Sequence, residues 1–102
     1  MFAVMSSEER HAAQRRLSEL LAMLKGMPDT DRVGRLIEEG EALDRAIGAF
    51  HLEGIRFRIY NVDRLVTHSP VPLPAEAAAI VADVRRHLEA AGFHTRSHQA
   101  PG

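Results

Sequence analysis

The residues best suited to chemistry are two arginines and a tyrosine, Arg56, Arg58 and Tyr60, which alternate with apolar residues in the segment GIRFRIY. In a β-strand these three side chains would share one face, with the arginines about 7 Å apart. Guanidinium groups bind phosphates and carboxylates through paired hydrogen bonds, and a nearby tyrosine can stack on a base. The pattern therefore predicts a binding site for an anionic ligand or RNA. In the alternative interpretation, the arginines pair with acidic residues of the preceding segment: Glu38, Glu39, Glu41 and Asp44.

No other group of residues has the spacing of a catalytic or metal site. His94 and His98 are four residues apart, which suits metal binding only within a helix, and they follow a glycine typical of a helix end. The chain has no cysteine, which excludes thiolate chemistry and disulfides, and it has no phosphate-binding glycine loop. We therefore expect no metal and no cofactor, and the sequence favours a protein that is not an enzyme.

The composition is that of a soluble globular domain. The chain has 102 residues, of which 45% are hydrophobic and 26% charged, and we expect a single domain, 1–102, with tails at 1–5 and 97–102. Thirteen basic and fourteen acidic residues give a net charge of −1, which provides no overall attraction to nucleic acid or to an anionic membrane. No apolar run approaches the ~20 residues of a membrane span, and we expect a cytoplasmic protein.

The first half of the chain has the period of two amphipathic helices. The first helix is expected to begin at a capping box formed by Ser6 and Glu9 and to run to about Lys25. Its apolar stripe consists of Ala13, Leu17, Leu20, Leu21 and Leu24. After a short turn, Asp29 or Thr30 can cap a second helix. The second apolar stripe consists of Val33, Leu36, Gly40, Leu43, Ile47 and Phe50. Because the connection is short, the two helices should form an antiparallel hairpin.

The helical period changes to a two-residue period at Gly54. Glycine readily adopts the positive φ that ends many helices, so we expect Gly54 to separate the second helix from a strand at 55–60. Residues 65–68 could return as a second strand and form a β-hairpin. The alternative is an all-α fold in which the second helix continues over residues 31–66, since Gly54, Phe57, Asn61 and Leu65 prolong its stripe.

The last third of the chain predicts another helix, which starts at Pro74 and stops at Gly92. Its apolar face consists of Ala77, Ile80, Val81, Val84, Leu88 and Ala91. Residues 93–96 could form a short final strand. The expected fold class is therefore α+β and helix-dominated: a helical hairpin, a strand or β-hairpin, a third helix and a final strand.

This order of elements favours an assembly function. Two helices cannot enclose a core alone, so a second copy could complete it, with Leu36, Leu43 and Ile47 buried. We expect a small non-catalytic interaction module that forms a homodimer through its helical hairpin, with a further protein as a second class of partner and no nucleic acid. The alternatives are an anionic-ligand or RNA-binding domain that uses Arg56 and Arg58, and a small enzyme with a histidine base across a dimer interface.

Overall fold

The fold is a bundle of α-helices. The computed structural model describes residues 2–28, 30–68 and 73–93, and within them it contains α1 (Phe2–Lys25), α2 (Asp31–Gly48), α3 (Leu52–Thr67) and α4 (Ala75–Ala90). These residues contain no strand. The predicted α+β class is therefore wrong, and the protein is all-α.

The four helices form a closed ring in which neighbours run antiparallel. Both α1 and α3 pack against α2 and α4, so α1 and α3 lie diagonally across the bundle from each other. Side chains from all four helices meet in one core: Ala13, Leu17, Leu20, Leu24, Val33, Leu36, Leu43, Ile47, Ile55, Ile59, Val62, Ala77, Ile80, Val81, Val84, Leu88 and Phe93. The predicted burial of Leu36, Leu43 and Ile47 is confirmed. Each apolar stripe thus points to the centre of an up-and-down bundle.

The predicted hairpin of the first two helices is present. Thr30 caps α2, because its hydroxyl oxygen accepts a 3.2 Å hydrogen bond from the backbone N–H of Val33. Gly40 lies at a close approach of α1 to α2, since a Cβ at this position would be 2.8 Å from Cδ2 of Leu21. Ser6 does not mark the first helical residue, because α1 already begins at Phe2.

The predicted strand at 55–60 is a helix, and so is the predicted returning strand at 65–68 up to Thr67. The buried residues of α3 are Ile55, Ile59 and Val62, at the i, i+4 and i+7 spacing of a helix. The two-residue pattern that suggested a strand required Phe57 to lie on the same face as Ile55 and Ile59. In the helix, Phe57 lies on the opposite side from these two buried residues and is half exposed. The β-branched residues of this segment have only a weak intrinsic preference for strand, and packing of their helical stripe against the core outweighs it.

The break between the helices is at Phe50 and not at Gly54. Phe50 has a φ of 60°, and the N–H of His51 bonds the carbonyl of Ala46 at 2.9 Å while that of Phe50 bonds Ile47 at 3.1 Å. This is a Schellman ending with phenylalanine in the left-handed position where glycine is usual. The alternative of one helix over residues 31–66 had the correct fold class, but it lacked this break.

Gly54 lies in the first turn of α3, where small size matters and positive φ is not needed. A Cβ on Gly54 would lie 2.5 Å from Nδ1 of His51 and 3.3 Å from Cβ of Ala46. The glycine therefore lets the start of α3 approach the end of α2 closely. The predicted positive φ at Gly54 is wrong.

The end of α4 follows the prediction. Gly92 has a φ of 102°, and the N–H of Phe93 bonds the carbonyl of Leu88 at 2.9 Å, which turns Phe93 back into the core. Pro74 is the N-cap of α4, so the helix begins at Ala75, one residue later than predicted. Residues 94–96 of the predicted final strand and the predicted tail at 97–102 lie outside the described residues.

An ion pair connects α1 with α4. Nε of Arg16 donates a 2.9 Å hydrogen bond to Oδ2 of Asp83, and Arg86 donates to the other oxygen of the same carboxylate. The hydrogen bond from Arg16, followed by that from Arg86, holds the pKa of Asp83 below its ordinary value. A carboxylate with a lowered pKa in the folded state stabilises the fold above its unfolded-state pKa of about 3.9.

We expect Asp83→Asn to lower the stability at neutral pH, because the amide keeps an acceptor but loses the charge. The contribution of Asp83 is lost as the pH falls through its lowered folded-state pKa, so the difference between wild type and variant should disappear in strong acid. Urea unfolding at pH 7 and at about pH 2 measures this difference. Glu38→Gln is the matched control and should change stability by less than about 0.5 kcal/mol at either pH. An equal effect of both variants would contradict a specific role of Asp83.

Candidate functional site

The structure separates the three residues predicted to form a binding face. Arg56 and Tyr60 are four residues apart on α3 and share a side of the helix, whereas Arg58 points about 160° away from Arg56. Nη1 of Arg58 donates to both oxygens of Glu39, at 3.0 and 3.2 Å. This is the pairing that the alternative interpretation expected. The face formed by both arginines depended on a strand and is not present in the helix.

The other two predicted residues lie in different surroundings. Arg56 is half-buried, and its Nε atom is buried without a hydrogen-bond partner among the described residues. The ring of Tyr60 lies 5.8 Å from the guanidinium carbon of Arg64, within the range of a cation–π contact. Neither residue is placed beside Arg58, so any anion site must be assembled from other neighbours.

The most unusual surface of the molecule is an exposed apolar patch at the turn between α2 and α3. It consists of Phe50, Leu52 and Phe57, which we call the corner patch, and these side chains are 59%, 47% and 50% exposed. They are the large hydrophobic residues that the described part of the chain leaves exposed. Single exposed apolar residues are common, but three within eight residues of the chain, two of them aromatic, mark this turn as a candidate binding surface.

An open groove lies beside the corner patch. Its volume is about 530 Å³, and its floor is made of small residues: Ala42 and Ala46 of α2, the C-cap residue Ala49 and Gly54 of α3. Phe57 also lines the groove, so the groove and the corner patch share this residue. The rim carries charges of both signs, from Arg45 and Glu53. We call this feature the corner groove.

Contacts with the other helices hold Phe50 at the turn. Its ring packs edge-to-face on the ring of Phe93, with centroids 5.4 Å apart. The guanidinium carbon of Arg10 lies over the ring of Phe50, 4.9 Å from its centroid. Nη1 of Arg10 also donates a 3.3 Å hydrogen bond to the carbonyl of Ile47. Residues from α1, α2 and the end of α4 therefore meet at this turn and fix its geometry.

The chemistry available at this surface is binding by shape and apolar contact. In the described part of the chain, no group of three or more histidine, aspartate or glutamate residues is placed to hold a metal ion. None of the described helices is both long and apolar enough to cross a membrane.

Sequence patterns placed Phe50 on the buried stripe of α2 and Phe57 on the apolar face of a strand, so the corner patch was missed. The only signal for it was that Phe57 is out of phase with Ile55, Ile59 and Val62 in a helix.

Comparison of the chain with protein-family models, with curated proteins and with solved structures finds no match.

We expect the left-handed conformation of Phe50 to appear as a difference between two substitutions. Phe50→Gly and Phe50→Ala remove the same aromatic contacts, but only glycine adopts a φ of 60° without a steric penalty. The glycine variant should therefore be more stable than the alanine variant by about 1 kcal/mol in chemical denaturation. At Ala49, which has a φ of −85°, the change to glycine should instead destabilise by about 0.5–1 kcal/mol. Equal stabilities of the two Phe50 variants would contradict the left-handed turn.

Proposed function

We propose that this protein is a small non-catalytic assembly module that forms a homodimer through the corner patch and corner groove. The observation that carries the proposal is the exposure of Phe50, Leu52 and Phe57 around one turn, where Phe57 also lines a groove rich in alanine and glycine. Leaving this much apolar surface in water is unfavourable, at roughly 25 cal/mol per Å². Association that covers the surface recovers this free energy.

The proposed interface differs from the one that the sequence suggested. The apolar stripe of the α1–α2 hairpin is covered by α3 and α4 of the same chain, so a second copy is not required to complete the core. The function class stays the same, but its surface moves from the α1–α2 hairpin to the α2–α3 turn. The proposed dimer is therefore an association of folded monomers.

The shape of the surface supports a second copy as its partner. A two-fold symmetric interface places the same surface of both subunits face to face, so it needs a projection and a complementary recess on one surface. Phe57 is such a projection, and the corner groove is the adjacent recess. In a symmetric dimer, Phe57 of each subunit can enter the groove of the other, where the alanine floor leaves room for an aromatic ring.

The charges around the groove support the same arrangement. Arg45 of α2 and Glu53 of α3 line the groove on one copy, and a two-fold axis can bring Arg45 of one subunit near Glu53 of the other. Complementary charges at the rim of an interface favour the correct orientation more than they add affinity. Arg58 also lies at the rim, but its charge is already paired with Glu39.

We expect Phe57→Asp to dissociate the dimer, because a carboxylate in an apolar interface lacks a partner. Multi-angle light scattering at about 100 µM should give a mass close to twice the chain mass of 11.3 kDa for the wild type and one chain mass for the variant. Phe57 is half exposed, so the substitution should leave helix content and monomer stability nearly unchanged.

The matched control is Ala79→Asp, which adds the same charge at an exposed position of α4, and it should remain a dimer. A wild-type chain that stays monomeric at about 100 µM would contradict the homodimer. Binding of a different protein by such a monomer, abolished by Phe57→Asp, would instead assign the corner patch to a hetero-partner.

A further inference from the structure

A second groove lies at the opposite end of the α2–α3 pair and carries an excess of positive charge. Arginines from both helices line it together with a histidine, an amide and one carboxylate: Arg32, Arg35, Glu39, Asn61, Arg64 and His68. Its volume is about 210 Å³. We call it the basic groove.

The antiparallel packing of α2 and α3 brings these residues together. Arg32 and Arg35 are three residues apart near the start of α2, so they share one side of that helix. Arg64 and His68 are four residues apart at the end of α3. Because the start of α2 lies beside the end of α3, cations that are about thirty residues apart in sequence line the same groove.

Glu39, the one carboxylate among the described residues that line the groove, is already engaged. Oε1 of Glu39 accepts hydrogen bonds from Arg58 at 3.0 Å and from Nδ2 of Asn61 at 3.2 Å, and Oε2 accepts from Arg58 at 3.2 Å. Glu39 therefore faces α3 and is neutralised by an arginine from outside the groove. Within the part of the chain that the structure describes, none of the three groove arginines has a carboxylate within ion-pair distance.

The two groove arginines of α2 take part in no ion pair with the described residues. No described carboxylate lies within ion-pair distance of Arg32 or Arg35. Positive charges in the first turns of a helix interact unfavourably with its dipole, so Arg32 carries a small electrostatic cost. Arg64 differs, because it lies at a helix end that favours cations and contacts the ring of Tyr60.

We propose that the basic groove binds a phosphoryl group. Arginine presents a planar set of donors that matches the oxygens of phosphate, and three such groups suit a doubly charged anion better than a single carboxylate. The groove is smaller than the ~300 Å³ at which sites for drug-sized ligands begin, so it fits inorganic phosphate or the terminal phosphate of a small organic molecule. This site is separate from the corner patch and does not depend on dimer formation.

The test is a titration of the full chain with sodium phosphate and, separately, with glycerol 3-phosphate at constant ionic strength, followed by amide NMR shifts. We expect saturable shifts at residues around Arg35 and Arg64. Saturation by both probes would show recognition of the phosphoryl group itself, and saturation by glycerol 3-phosphate alone would assign the groove to organic phosphates.

Substitutions distinguish a site from general charge attraction. Arg35→Gln and Arg64→Gln should each weaken binding about tenfold, the effect of losing one charge-assisted hydrogen bond. The control Arg15→Gln removes the same charge from an exposed position of α1 and should leave affinity within about twofold. Shifts that stay linear up to about 10 mM phosphate, or an equal loss in the control, would overturn the proposal.

Discussion

The reversal of the chain at Phe50 is the constraint on which the rest of the bundle depends. Three residues join α2 to α3, and the left-handed Phe50 lets His51 bond back to Ala46 so that the next helix can run antiparallel. Without this break, the segment from Ile55 to Val62 would continue away from the core. With it, α3 covers α2, and α4 closes the bundle against α1.

The turn has an energetic cost that neighbouring contacts offset. A non-glycine residue in the left-handed region costs about 1–2 kcal/mol. The edge-to-face contact with Phe93 and the approach of Arg10 each contribute on the order of 0.5–1.5 kcal/mol, so together they are of the size needed. The same geometry leaves the ring of Phe50 59% exposed, and Leu52 and Phe57 follow within seven residues of the chain. The turn that organises the core therefore also creates the corner patch.

Much of the core could be predicted from sequence, because its helices have regular apolar stripes and recognisable ends. The buried stripes of α1, α2 and α4, the Thr30 cap and the Gly92 ending followed from spacing and residue type. The break at Phe50 could not be predicted in this way, since phenylalanine has no local preference for positive φ. Contacts with other helices hold it in that conformation. The strand prediction failed because Ile55, Phe57 and Ile59 also fit a two-residue period. In the structure the helical stripe of Ile55, Ile59 and Val62 packs into the core instead.

The candidate sites were harder to predict than the fold. Both grooves lie between α2 and α3, so their linings combine residues that are distant in sequence, such as Arg35 with Arg64. The sequence drew attention to the arginines of 54–60, but in a helix Arg58 turns to Glu39. Which residues meet across two helices depends on their register, and that register follows from the turn at Phe50.

The most direct test of the central claim, that this turn presents a self-associating surface, is a dilution series followed by residue-resolved amide NMR. Between about 1 mM and 10 µM, signals of Ala46, Gly54 and Phe57 should move together as the dimer dissociates, while those near Arg32 and Arg64 stay fixed. Signals that do not change with concentration, or changes centred on another face of the bundle, would contradict the account.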